Sequence, residues 1–219
     1  MKVKKTKKIK KSFNCFLCGD NNIGKKTLLY TYKNCKIPDE EAKKYLFNEY
    51  SYCTIDVFVD NFEIKMKTFM LSGADNYYTH RRSEQLANDA TIFCFSLVNE
   101  FSFKKIRNEY FREFVEWSVK KPCILVGFKK DKRDLNLKNN IRENNNEPYF
   151  CEDNDIITTE MGEKLKKEIG ASAYIECSSF NIINVHEVFE EASRAILQAS
   201  IDTDTSNDQI NDHSCCSIF

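Results

Sequence analysis

GDNNIGKKTLL, residues 19–29, follows the apolar run FNCFLC of residues 13–18 and decides how the rest of the chain is read. It fits the phosphate-binding pattern G-x-x-x-x-G-K-[ST] at every fixed position except the last, where Lys26 stands in place of a hydroxyl. Such a loop works because successive backbone N–H groups and a helix N-terminus surround phosphate oxygens with positive dipoles. Gly19 and Gly24 stand where the backbone must come close or take positive φ, and Lys25 stands where it reaches the β- and γ-phosphates. The hydroxyl that Lys26 replaces is the one that holds Mg²⁺.

Around this loop, β-rich runs alternate with amphipathic stretches. Residues 13–18 predict a buried strand and 25–33 the helix after it. Residues 53–59 alternate as a half-exposed strand, and 62–71 pair with it after an Asp60-Asn61 turn. Residues 90–97 and 122–127 are apolar runs of the central parallel type. Residues 103–119 have helical spacing, with Ile106, Tyr110, Phe114 and Trp117 on one side. A last strand is predicted at 173–177 and a last helix at 185–199. The alternation gives a doubly wound α/β domain with a mostly parallel sheet, whose ligands bind at the carboxyl ends of the strands. Between Lys132 and Thr158 runs a polar, asparagine-rich excursion, LNLKNNIRENNNEPYFCEDND, and from Ser200 an irregular tail is expected.

Bulk composition narrows the class. The chain has 219 residues and 42% hydrophobic content, enough for one buried domain over residues 12–199. A net charge of +0 gives no overall field toward nucleic acid, so no nucleic-acid partner is expected. The charge is nonetheless uneven: residues 1–11, MKVKKTKKIKK, form a basic arm, and IDTDTSNDQINDHS in the 200–219 tail carries only acids and one His. No apolar run approaches the ~20 residues of a membrane span. Ten cysteines without a signal-peptide pattern point to reduced thiols and a cytosolic setting. Cys15 and Cys18, three apart on a strand, face opposite ways and read as buried packing rather than half a zinc or redox site.

Two further signals meet the loop. Phe128-Lys129-Lys130-Asp131 fits the guanine-reading pattern [NT]-K-x-D except at its first position. An Asp carboxylate there accepts paired hydrogen bonds from guanine N1–H and the exocyclic amine, which adenine does not offer. Glu176-Cys177-Ser178-Ser179 closes the last strand, where a backbone N–H meets the guanine carbonyl.

With these segments, FCFSLVNEFSFKKI (93–106), PCILVGFKKDKRDL (122–135), KLKKEIGASAYIECSS (164–179) and NVHEVFEEASRAIL (184–197), the chain resembles a Rho-family small GTPase from about residue 12 to 198. The resemblance implies a P-loop small-GTPase fold with a six-stranded, mostly parallel sheet, and puts the 132–158 excursion at the Rho-type insert. It implies GTP/GDP as ligand, held by Gly19, Asn21, Asn22, Ile23, Gly24, Lys25, Lys26, Thr27, Gly73, Lys129, Asp131, Ser178 and Ser179. It also implies effector and exchange-factor partners, and a prenyl group on Cys216 of the C-a-a-X terminus CSIF. Terminal Phe219 points to geranylgeranyl, and Cys215 is a candidate for a palmitoyl group. The lysine arm and this lipid are expected to face one anionic surface, at the cytoplasmic face of the plasma membrane with a cytosolic pool.

Departures from the family cluster on the metal and on hydrolysis. Lys26, Tyr45 and Met70 stand where the resemblance implies the P-loop hydroxyl, the switch I Thr and the Asp of D-x-x-G. An ammonium, a phenol and a thioether are poor ligands for a hard cation, so Mg²⁺ is expected to be weakly bound or absent. Ala74 replaces the water-orienting Gln, and Asn21 the small glycine beside the γ-phosphate. Ile37 replaces the aromatic that covers the base. No catalytic or metal-ligating residue is assigned, and hydrolysis is expected to be impaired. Three readings stay open: a nucleotide-holding protein in which Lys26 stands in for the ion, a conventional cycling GTPase with unusual metal ligands, and a nucleotide-free scaffold. A one-residue shift that makes Lys26 the loop lysine and Thr27 the hydroxyl would restore the first metal position but displace Leu28-Leu29 from the family's register and leave Met70 unexplained.

Overall fold

The computed structural model describes residues 9–49, 52–71, 78–117, 121–142 and 156–211. Its strands are β1 (Ile9–Cys18), β2 (Tyr52–Val59), β3 (Phe62–Met70), β4 (Ala90–Ser96), β5 (Cys123–Phe128) and β6 (Tyr174–Glu176). Its helices are α1 (Lys25–Asn34), α2 (Glu40–Glu49), α3 (Tyr78–Ala87), α4 (Glu100–Lys105), α5 (Phe111–Glu116), α6 (Lys130–Arg142), α7 (Thr159–Ile169) and α8 (Val185–Asn211). A π-helical turn, Ile106–Tyr110, joins α4 to α5.

The six strands form one sheet in the order β2-β3-β1-β4-β5-β6. Only the β2–β3 hairpin is antiparallel. The expected six-stranded, mostly parallel α/β architecture is therefore present. β4 and β5 are buried at every position, as strands covered on both faces by helices must be. β2, at the sheet edge, alternates between exposed and buried residues. One face packs Cys15, Val57, Met66 and Cys94 against α1 and α8, and the other packs Cys18, Phe93, Phe95 and Leu125 against the π-helical turn, α5 and α7. Cys15 and Cys18 thus do fall on opposite faces, and burial pushes the Cys15 thiol up to about 12. Both behave as apolar packing.

Several boundaries differ from expectation. β1 starts at Ile9 rather than at residue 13, pairing Ile9 with Phe62, because the long β3 gives the polar residues a backbone partner. Lys10 and Lys11 of the basic arm are therefore strand residues; Lys10 lies 3.9 Å from Glu63, and Lys11 sits over the Phe62 ring. The helix expected at 103–119 starts earlier, where Asn99 Oδ1 accepts from Ser102 N at 2.9 Å, and it is interrupted by the π-helical turn. The 132–158 excursion opens as the helix α6, while residues 143–155 lie outside the described residues.

The tail expected to be irregular from Ser200 continues α8 to Asn211. Nothing between 185 and 211 breaks a helix, since the stretch has neither Gly nor Pro. Gln198 Nε2 donates to Asp202 Oδ1 at 2.9 Å, four residues on. Among the described residues no helix is long and apolar enough to cross a membrane.

Candidate functional site

At the carboxyl end of β1 the chain turns through residues 19–24 into α1. Gly19 is required by space: a Cβ there would lie 2.2 Å from the Cys94 carbonyl oxygen. Gly24 is required by conformation, with φ +121°. It caps α1 without a side chain, Leu28 N donates to its carbonyl at 2.9 Å, and the first turn carries no acid. The positive end of α1 thus faces the loop with no carboxylate of its own to neutralise it.

Lys25 is buried, and its Nζ donates to the carbonyls of Gly19 and, at 2.6 Å, Asp20. Burial pulls its ammonium below the ordinary lysine value. The loop's own carbonyls here hold the cation that phosphate oxygens would hold in their place. The geometry favours the register in which Lys25 is the loop lysine and Lys26 occupies the hydroxyl position. Lys26 follows in the same turn, partly exposed, with burial lowering its pKa; Thr27 is partly exposed beside it. Asn21 and Asn22 are exposed on the loop, Asn22 with φ +59°, and Ile23 is buried.

The residues expected to read the base lie beside this loop. Lys129, with φ +64°, reaches back so that its Nζ donates to Asn22 O at 3.2 Å. Burial, then Lys132, lowers its pKa. Asp131 Oδ1 accepts from Ser178 Oγ at 2.6 Å, and Ser178 Oγ in turn accepts from Asn181 N at 3.0 Å. Ser178 and Ile183 exchange backbone hydrogen bonds that pin the turn, leaving Ser179 partly exposed within it. Phe128 replaces an amide or hydroxyl side chain with a buried ring, 3.9 Å from where a Cβ on Gly24 would lie. It supports the loop by packing instead of by hydrogen bonds.

Glu176, which the sequence reading named only as the start of the last-strand motif, ties the segments after β5 and β6 together. Its carboxylate accepts from Arg133 at 2.6 Å twice, from Lys130 at 2.8 Å, from Thr159 at 2.9 Å and from Tyr174 at 3.0 Å. Burial alone would raise this carboxyl, but the bonds from Arg133, Lys130 and Thr159 outweigh it and hold it at about 2 against an ordinary 4.5. A depressed carboxyl contributes stability above its unfolded value and loses it as pH falls toward the folded one. Glu176→Gln is therefore expected to lower stability by about 1.5–3 kcal/mol at neutral pH, because buried Arg133 loses its charged acceptor and keeps only Asp134 and the Ile157 carbonyl. The gap to wild type should narrow between pH 4.5 and 2. Thermal midpoints of both proteins across that range check this.

The positions where the sequence departs from the family add no ligand among the described residues. Met70 is 4% exposed inside the core beside Leu17 and Ile92, so no ligand side chain comes from the end of β3. Tyr45 lies in α2, a helix started by Asp39 Oδ1 accepting from Ala42 N at 2.8 Å; its side chain lies outside the described residues. Gly73, Ala74, the arm lysines before residue 9, Cys215 and Cys216 lie outside them too. Ile37 is 39% exposed and offers no ring to a base. The donor set an octahedral oxygen-seeking ion needs is thus not assembled by Lys26 and Met70. The sequence reading also missed the anchoring of Asp20, whose carboxylate accepts from Tyr110 at 2.6 Å and from Lys105 at 3.3 Å. Its one visible signal was a tyrosine on the buried face of a helix, since a buried hydroxyl needs a partner.

Among protein families, the one described as the Ras family has a model that matches residues 14–198.

Proposed function

The chain belongs to the Ras family of small GTP-binding proteins, and we propose from that premise a Rho-like signalling protein that holds guanine nucleotide with side-chain charge and hydrolyses it poorly. The observation that carries the proposal is the first turn of α1. Lys25 and Lys26 are consecutive there, no acid shares the turn, and the family's carboxylate at the end of β3 is the buried Met70. An ammonium pointing from a helix N-terminus supplies positive charge beside terminal phosphates without demanding oxygen ligands.

The residues present suit a guanine nucleotide. The N–H groups of residues 19–27 and Lys25 suit the phosphates, Lys129 suits the face of the base, and Asp131 with the Ser178–Ser179 turn suits its edge. The bound ligand supplies the phosphate charge, and the chain orients it. Phosphoryl transfer depends on charge neutralisation and a positioned water, and an arginine finger alone is worth about 10³–10⁵ in rate. Ala74 offers no amide for that water, and Asn21 crowds the place a finger would take.

Effector proteins then read the surface of a protein that switches slowly or not at all. Anchoring at the cytoplasmic face of a membrane, through lipid on Cys216 and the lysine arm, belongs to the same proposal. In support, the start of β1 and the first half of α8 meet one turn: Ile9 N donates to Asn61 O at 3.0 Å, and Arg194 lies 3.6 Å from Asp60.

The test is to denature the purified protein, identify released nucleotide by chromatography, and follow single-turnover GTP hydrolysis with magnesium. Bound GDP or GTP with no hydrolysis above the solution rate is expected. Rapid turnover would restore a conventional cycling GTPase, and nucleotide-free protein that takes up none would leave a scaffold.

A further inference from the structure

Asp20 is a junction. Its main-chain carbonyl accepts from Lys25, while its carboxylate accepts from Tyr110 at 2.6 Å and Lys105 at 3.3 Å. One residue is therefore held by the phosphate-loop lysine through its backbone and by the α4–α5 segment through its side chain.

Tyr110 closes the π-helical turn, in which Phe111 N donates to Ile106 O. The extra residue of such a turn re-aims the side chains around it relative to a continuous α-helix, and π-turns recur at functional places. Burial and the Asp20 carboxylate push the Tyr110 phenol far up, so it remains a hydrogen-bond donor.

Beyond Tyr110 the contacts continue. The Arg81 guanidinium of α3 lies 5.6 Å from the centre of the Tyr110 ring and donates to Glu113 at 2.9 and 2.6 Å. Arg81 also lies 3.7 Å from Glu109, which is 3.5 Å from Lys105. Glu109 Oε1 is buried without a hydrogen bond, so its pairing with Arg81 rests on charge alone.

We propose that Asp20 and Tyr110 are positioning residues that couple the phosphate loop to α3. Engaging a phosphate draws Lys25 away from the carbonyls of Gly19 and Asp20. The Asp20 peptide then keeps only its side-chain hold, and its displacement reaches α3 through Tyr110 and Arg81. The nucleotide half of this statement rests on the Ras-family reading of the loop; the mechanical link does not. This link gives α3 a route to the phosphates other than the Met70–Ala74 segment, where the family's carboxylate and amide are replaced.

Hydrogen exchange on the full chain tests it, comparing wild type with Tyr110→Phe, which keeps the ring over which Arg81 lies and removes only the hydroxyl. Without nucleotide, Tyr110→Phe should speed exchange about tenfold both in the peptide covering residues 19–28 and in residues 82–87, the loss of one hydrogen bond to a charged group. Residues 123–128 of β5 should not change. Asp20→Asn should give the same pattern at smaller amplitude, and serves if Tyr110→Phe does not fold. Faster exchange confined to one of the two regions, or in neither, overturns the coupling.

With saturating GDP, wild type should slow in residues 19–28 and also change in 82–87, and Tyr110→Phe should lose the second response. An equal α3 response in both proteins overturns the coupling. If residues 19–28 are unprotected at every GDP concentration, the nucleotide reading fails, and the ligand-free comparison still decides the link.

Discussion

Lys26→Ala is expected to lower guanine-nucleotide affinity by about 10–10²-fold when chelator is present, the equivalent of one lost charge-assisted hydrogen bond of ~1.5–3 kcal/mol. Lys26 is partly exposed in the first turn of α1, so its truncation should leave stability within about 0.5 kcal/mol of wild type. Affinity and fold therefore separate cleanly. Titration of a fluorescent GDP analogue, alongside a thermal melt, reads both. Lys26→Thr should lose chelator-resistant binding in the same way and gain dependence on magnesium, since it restores the hydroxyl donor of the loop. Unchanged affinity in Lys26→Ala would remove Lys26 from the phosphate site.

The second large effect lies at the base. Asp131→Ala should reduce guanine-nucleotide affinity by about 10²–10³-fold and leave the weak adenine-nucleotide affinity where it is, because only guanine presents the paired donors the carboxylate accepts. Part of that loss comes from Ser178, whose hydroxyl donates to Asp131 at 2.6 Å and would be left without its acceptor. Ser178→Ala isolates this part and should cost about tenfold, one hydrogen bond to a charged group. Competition titrations with GDP and ADP check both variants. Equal losses for the two bases would mean that Asp131 supports the loop without reading the ring.

The parts of the site that the amino-acid order made legible are those encoded by neighbours in the chain. Gly19, Gly24 and Lys25 belong to one turn between a buried strand and a helix, and their spacing carries its own geometric reason. Asp131 and Ser178 stand 47 residues apart, yet each follows closely on the carboxyl end of one of the paired parallel strands β5 and β6, so a topology inferred from alternating periodicity brings them together. The opposite facing of Cys15 and Cys18 followed from strand period alone.

Contacts that depend on tertiary placement were not legible. The Asp20–Tyr110 bond spans 90 residues, and no periodicity forecasts the π-helical turn that accompanies it. Glu176 looked like one member of a turn motif, whereas its weight comes from Arg133 and Thr159, which reach it from two other helices. The continuation of α8 past Ser200 was hidden by composition: polar residues suggested an irregular tail, but the stretch lacks any breaker. α2 was missed because the 40–49 segment was read for its correspondence to a family loop rather than for its own Asp39 cap.

That an ammonium on α1 has taken the place of a divalent ion is tested most directly by measuring GDP and GTP-analogue affinity in EDTA and again in excess magnesium. Dissociation constants that agree within about threefold, a difference below ~0.7 kcal/mol, are expected. A loss of about 10²-fold or more on chelation, reversed by adding magnesium back, would contradict it and return the metal to the site.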